Sequence, residues 1–165
     1  QPSGKPSEGP QQMTPPTPWL ATFVTRWHSG ASAPYLAHTQ DRIGGHSGRM
    51  GILAMHYWPD CSRDLLVACL THDLGEYAVA DVPYPAKTDY LRAMLDDMEA
   101  EALSAMGITF PALDSTDRDR LKFLDRLDAY LWARLHCKQL TKRKDWRRDK
   151  AALRAMADAV GVELP

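Results

Sequence analysis

Three residues near the middle of the 165-residue chain carry side chains that can do chemistry together: His72, Asp73 and Glu76, in the run Leu70-Thr71-His72-Asp73-Leu74-Gly75-Glu76. An imidazole and a carboxylate ending an apolar segment (Asp64 to Leu70) are costly to bury unless each finds a partner, and a divalent cation satisfies both. The plainer alternative is an aspartate that orients a core histidine. Two other positions widen the set. His46 lies in Gly44-Gly45-His46-Ser47-Gly48-Arg49, and Asp125 lies in Leu121-Lys122-Phe123-Leu124-Asp125-Arg126-Leu127-Asp128. Asp128 is the rival of Asp125 for the fourth place. Two imidazoles and two carboxylates on three separate segments suit a divalent transition metal with positions left open for water or a phosphate oxygen, and they do not separate Zn²⁺, Co²⁺ and Mn²⁺. No Gly-rich phosphate loop accompanies them, and no cysteine or serine stands out as a nucleophile.

With those residues in view, the order His46 … His72-Asp73 … Asp125 resembles the HD-domain metal-dependent phosphohydrolases. Within them the chain is most similar to the deoxynucleotide branch, through Arg26-Trp27, His46-Ser47, His72-Asp73-x-x-Glu76 and Asp81-Val82-Pro83-x-Pro85-x-Lys87. The likeness runs from about Arg26 to Tyr130. It implies that His46, His72, Asp73 and Asp125 bind the metal, and that Glu76 positions or deprotonates the attacking water. It implies further that Asp81 orients water or assists the leaving group, that Arg26 and Lys87 contact phosphate, and that Trp27 lies in the nucleotide pocket. By their own chemistry Arg26, Asp81 and Lys87 are also compatible with surface charges, and Trp27 with core filling. Ala80 stands where members of the branch often carry glycine.

Two activities compete within that resemblance. One cleaves dATP to deoxyadenosine and triphosphate, as in small phage dATP triphosphohydrolases. The other releases inorganic phosphate from a deoxynucleoside monophosphate, as in bacterial 5′-deoxynucleotidases. The short chain and the compact interval from His72-Asp73 to Asp125 look more like the first. The resemblance also implies a homo-oligomer. A triphosphate substrate would bring Mg²⁺ with its phosphates as a further ion. The reading from a different class is a catalytically silent HD-fold binding or assembly module.

The elements that must position these groups read as helices throughout, so an all-α domain of five to seven helices is expected. Residues 1–18 hold six prolines and, apart from Met13, no large apolar side chain, and are expected to form a flexible arm ahead of a single domain over 19–165. Apolar spacing predicts helices over 19–28, 45–58, 63–77, 89–106, from 115 or 116 through Asp125, and over 145–160. In the third of these, His72 and Glu76 would be i and i+4 on one face. Residues 29–43 read as a loop covering part of the site, with His38 at the surface. In the fourth, Tyr90, Leu91, Met94, Leu95, Met98, Ala102, Leu103 and Met106 form the apolar stripe, while Asp96, Asp97, Glu99 and Glu101 lie on a solvated face.

Composition limits the alternatives. The 44% hydrophobic content suffices for a core, and a net charge of −1 gives no global case for nucleic-acid binding. The basic run 138–148 is expected to be a solvated surface. No apolar run approaches a membrane span. Cys61, Cys69 and Cys137 lack disulfide-like spacing, which points to a reducing, cytoplasmic setting. The expected partners are a deoxynucleotide and further copies of the chain, without membrane or nucleic acid.

Overall fold

The computed structural model describes residues 15–29, 33–83 and 86–164. Most of the expected arm, residues 1–14, lies outside the described residues, as do residues 30–32 of the loop and Tyr84 and Pro85 of the proline-rich segment. Among the described residues the structure is a helical bundle without a strand. Its helices are α1 (Thr17–Ala21), α2 (Ile43–Tyr57), α3 (Arg63–Thr71), α4 (Asp89–Ala105), α5 (Ser115–His136) and α6 (Lys144–Ala159). Short 3-10 turns at Trp27–Ser29, Ala37–Thr39, Leu74–Tyr77 and Leu140–Lys142 connect them. None of the described helices is long and apolar enough to cross a membrane.

Helix ends follow local chemistry. The Ser62 hydroxyl accepts from the Leu65 amide at 2.9 Å and starts α3, and Thr88 starts α4 in the same way. The cap of α5 is Asp114, one residue before the expected start, accepting from the Asp117 amide at 2.8 Å. Gly107, at φ 72°, turns the chain out of α4 in the left-handed conformation that glycine adopts without steric cost.

The main core gathers around α5. Phe123, Leu124, Leu127 and Tyr130 meet Met50 and Ala54 of α2, Leu65 and Cys69 of α3, and Leu153 and Ala157 of α6. Burial pushes the Cys69 thiol up to about 12, so it behaves as a small apolar side chain. A second cluster of Ala21, Ile43, Leu74 and Leu103 joins α1, the start of α2, the Leu74–Tyr77 turn and α4.

Three expectations change. The helix expected over 19–28 ends at Ala21: residues 22–23 form a turn, and the chain then runs alongside 41–44, with an isolated bridge between Thr25 and Arg42. Ile43 N donates to Val24 O at 3.0 Å, Gly44 N to Thr22 O at 2.9 Å and Arg26 N to Asp41 O at 3.1 Å. The helix expected over 63–77 stops at Thr71. Asp73, at φ −100° and ψ −1°, lies in the bridge region, and a 3-10 turn follows. The stripe expected on α4 is only partly buried: Tyr90, Met94 and Met98 are exposed, whereas Leu95 and Leu103 face inward with half-buried Glu99 between them. Glu99 is thus on the packed side of α4 and not on a solvated face.

The cause of this last change is a close backbone approach. A Cβ on Gly75 would stand 2.6 Å from the Glu99 carbonyl oxygen and 2.9 Å from its Cα. Backbone cannot move aside as a side chain can. Gly75→Ala is therefore expected to push α4 off the Leu74–Tyr77 turn and lower unfolding stability by about 1–3 kcal/mol in a denaturant titration. An unchanged midpoint would mean that this packing is loose.

Candidate metal centre

Each of the four donors expected from the sequence arrives from a different part of the bundle. His46 is in the first turns of α2, His72 and Asp73 follow the end of α3, and Asp125 is midway along α5. One ligand atom from each lies within 4.8 Å of every other. His46 Nε2 is 3.3 Å from His72 Nε2, 3.3 Å from an Asp125 oxygen and 3.5 Å from an Asp73 oxygen. His72 Nε2 is 3.2 Å from the other Asp73 oxygen. Donors about 2.1 Å from a common ion sit about 3–3.4 Å apart, so these spacings fit a single transition-metal ion. His46 is fully buried and the other three are half-buried. The cluster is therefore able to coordinate a divalent metal, and its N₂O₂ donor set does not select which one.

The bridge conformation of Asp73 lets neighbouring residues reach the same point. In a continued α-helix His72 and Asp73 would diverge by about 100° around the axis. The i and i+4 relation expected for His72 and Glu76 is accordingly not what aligns them, because the α-helix ends before either residue.

Asp128 takes a different place from the one first weighed for it. It lies one turn from Asp125 on α5, and the two carboxylates hold opposite nitrogens of the same imidazole. Asp125 faces Nε2 of His46, while Asp128 accepts from Nδ1 at 2.7 Å. That fixes the proton on Nδ1 and turns the Nε2 lone pair toward the other donors. Asp128 is in turn held by Arg49, whose Nε and Nη2 donate to it at 2.6 and 2.8 Å. Arg49 Nη2 also donates to Asp41 at 3.0 Å, and Asp41 meets His28 Nε2 at 3.0 Å. The Arg49 guanidinium lies over the Trp132 ring, 4.4 Å from its centroid. Burial works against the Asp128 carboxylate, but hydrogen bonds from Arg49 and His46 outweigh it and hold its pKa below the ordinary value.

The sequence gives a faint signal for part of this outer network. Arg49 is one helical turn from His46, and Asp128 is one turn from Asp125. Nothing in periodicity points to His28 or Asp41. They enter because the segments 22–29 and 39–44 lie side by side.

Arg26 is buried directly among the acids. Its guanidinium hydrogen-bonds Asp73, lies 3.3 Å from Asp125 and has Nε 3.6 Å from Asp81. Trp27 is half-buried, and its backbone amide donates to Asp81 at 2.9 Å. Asp81 follows Ala80, which adopts φ 63°. An alanine there carries a left-handed strain of about 1–2 kcal/mol, the physical reason glycine would suit this position. Glu76 is buried, and its Oε2 has no hydrogen-bond partner. Burial first, then the charges of Asp73 and Asp81, raise its pKa well above the ordinary carboxylate range. Lys87 is half-buried and near enough to act electrostatically on Glu76, Asp81 and Glu99. Burial also raises Glu99, a carboxyl that the sequence placed on a solvated face.

A proton competes with a metal for His46. Burial disfavours the imidazolium, but hydrogen bonds with Asp125 and Asp128 overcome this and push its pKa up to about 9. A raised pKa makes this proton stabilising in the metal-free fold. That contribution is full below about pH 6.5 and is lost as pH rises through about 9. Metal binding needs the neutral ring, so it runs in the opposite sense. Apparent metal affinity is expected to rise about tenfold per pH unit toward pH 9 and then level off. Chelator-competition titrations across that range measure it, and a flat profile would contradict the proton competition.

No family model, no curated protein and no solved structure matches this chain.

Proposed function

We propose that the protein is a metal-dependent phosphohydrolase of the HD type that acts on a deoxynucleotide, converting dATP to deoxyadenosine and triphosphate. The observation that carries this reading is the convergence of His46, His72, Asp73 and Asp125 within 4.8 Å, with the buried Glu76 carboxyl, its Oε2 without a hydrogen-bond partner, three residues beyond Asp73. The donor set fits a divalent transition metal, which would supply Lewis acidity toward a phosphoryl oxygen and make water acidic enough to ionise near neutral pH. The rest of the work falls to the chain. Glu76 takes or directs the proton of the attacking water, with Asp81 orienting that water or the leaving oxygen. Arg26 and Lys87 offset negative charge on the phosphate groups as the P–O bond breaks. Trp27 offers a flat apolar surface to the base. His28, Asp41, Arg49 and Asp128 hold His46 in the tautomer that binding requires. The triphosphohydrolase is preferred to the 5′-deoxynucleotidase on the compact interval between the central motif and Asp125.

One observation favours a silent binding module instead. Arg26 already supplies positive charge to Asp73 and Asp125, and a structural ion-pair cluster needs no metal. Incubation of the protein with dATP, dGTP, dAMP and ATP plus Co²⁺ or Zn²⁺, followed by ion-exchange separation, tests all three readings. Deoxyadenosine with intact triphosphate is the expected result. Phosphate released from dAMP with dATP untouched would move the protein to the monophosphatases. No turnover together with no bound metal would leave the silent module. In the expected case His72→Ala should lower turnover by at least about a thousandfold, through loss of a ligand that no neighbour replaces.

A further inference from the structure

The bundle carries a second chemically distinctive place, on the far side of α5. A cavity of about 800 Å³ opens between the end of α5, the Leu140–Lys142 turn and α6. Six cationic side chains line it: Arg134, Lys138, Lys142, Arg147, Lys150 and Arg154. No aspartate or glutamate is among its lining residues. Tyr130 and the Thr141 hydroxyl contribute the aromatic and neutral polar parts of the wall, and Lys150 Nζ stands 5.8 Å from the Tyr130 ring centroid.

The charge is segregated along the chain as well as in space. Residues 134–154 hold nine of the 20 lysines and arginines but only two of the 21 aspartates and glutamates. The rest of the molecule is therefore net acidic although the total charge is −1. Like charges crowded into a concavity repel one another, which costs stability unless an anion is meant to enter. This differs from the solvated surface expected from the run 138–148. Arg134, Lys150 and Arg154 lie outside that run, and only the packing of α6 beside α5 brings them to it.

The cavity is separate from the metal centre. Arg134 is nine residues beyond Asp125 on α5, which places it about 180° around the axis and about 13 Å along it. None of the four clustered donors lines the cavity.

We propose that this cavity binds a multiply charged phosphate chain, either the polyphosphate of a nucleoside triphosphate or free inorganic polyphosphate. The shape argues for a compact polyanion. Cations from α5, the connecting turn and α6 converge on one concavity of small-ligand size instead of tracking along a face as a nucleic-acid backbone requires. Arginine forks and lysine ammonium groups give a phosphate chain charge-assisted hydrogen bonds from several sides. The inference does not depend on the reaction proposed for the metal centre.

Isothermal titration of the full chain, stripped of metal on a chelating resin, with inorganic tripolyphosphate and with ATP tests this. Two triple variants are compared. Lys138→Gln/Lys142→Gln/Arg147→Gln removes charge from the cavity, whereas Arg143→Gln/Lys144→Gln/Arg148→Gln removes the same charge just outside it. The cavity variant is expected to lose about tenfold or more in affinity for tripolyphosphate, and the outer variant much less. All six side chains are exposed, so both variants should fold, and the single change Arg147→Gln provides a milder check in the same direction. Tighter binding of ATP than of tripolyphosphate would assign the site to a nucleotide, and equal binding would assign it to the bare phosphate chain. Equal losses in the two triple variants, or no tripolyphosphate binding at low salt, would overturn the proposal. So would a single-stranded oligonucleotide that binds more tightly than tripolyphosphate and depends on both triads, since that pattern belongs to an extended nucleic-acid face.

Discussion

Asp128→Asn should weaken metal binding by about 10–100-fold while leaving all four candidate donors in place. The carboxylate accepts from His46 Nδ1 at 2.7 Å and from Arg49 at 2.6 and 2.8 Å. An amide has one oxygen for these donors, and its NH₂ group would face either the guanidinium or the imidazole N–H. In either orientation one buried donor loses its partner, and the restraint on the His46 tautomer weakens. The consequence reaches the metal through Nε2, the nitrogen that Asp128 never touches. Asp128→Ala should be harsher, because removing one member of a buried ion pair strands the other. About 3 kcal/mol of stability is expected to go, toward the low end of such changes because the Arg49 side chain is 31% exposed and can recover some water. Chelator competition reads the first effect and denaturant unfolding the second. An Asp128→Asn protein with full metal affinity and a lowered stability would show Asp128 to be a packing residue and not a positioning one.

The second large effect concerns Arg26, and it should depend on metal. The Arg26 side chain is 7% exposed and sits among Asp73, Asp81 and Asp125, with Glu76 close enough to act on its charge. In metal-free protein its charge, with that of the protonated His46 ring, offsets the carboxylates of the pocket. Arg26→Gln should therefore destabilise the metal-free chain by about 3–5 kcal/mol, as expected when buried carboxylates lose their counter-charge. For a chain of this size that corresponds to a fall of about 10 °C in Tm. Added Zn²⁺ or Co²⁺ should restore most of the loss, because a divalent ion neutralises Asp73 and Asp125 directly and binds the folded state in preference to the unfolded one. Thermal unfolding with and without metal separates the two roles open to this arginine. Recovery of stability with activity still low would place it on the substrate phosphate. Recovery of both would make it a counter-ion of the acids alone. A loss that metal does not repair would mean that Arg26 holds the segment 22–26 in place against 41–44 and has little to do with the pocket charge.

Much of the site was legible because residue type is itself chemistry. His46, His72, Asp73 and Asp125 form an N₂O₂ set wherever they meet, and the helical patterns around three of those positions made a meeting plausible. The helical class was legible too. Capping residues such as Ser62 and Thr88 and the terminator Gly107 act through neighbours in the chain, so they can be read one turn at a time. The same locality explains the failures. The helix expected through Tyr77 ended at Thr71, and the one expected through His28 ended at Ala21, in each case where a distant segment imposed another geometry. Gly75 is pressed on the backbone of α4, and residues 22–26 pair with 41–44.

What tertiary structure alone decided is which side chains hold the four clustered donors in place. Asp125 and Asp128 look alike in sequence, one turn apart and both beside leucines. Their roles divide because one imidazole from α2 stands between them with a nitrogen toward each. Glu99 reads as one more surface acid until α4 is laid against Gly75, and Arg134 and Arg154 become neighbours only when α6 packs beside α5. Periodicity reports which face of an element turns inward. It carries no information about what that face will meet, because contact energies between residues far apart in the chain depend on how the elements pack together, and that is fixed only when the whole core closes.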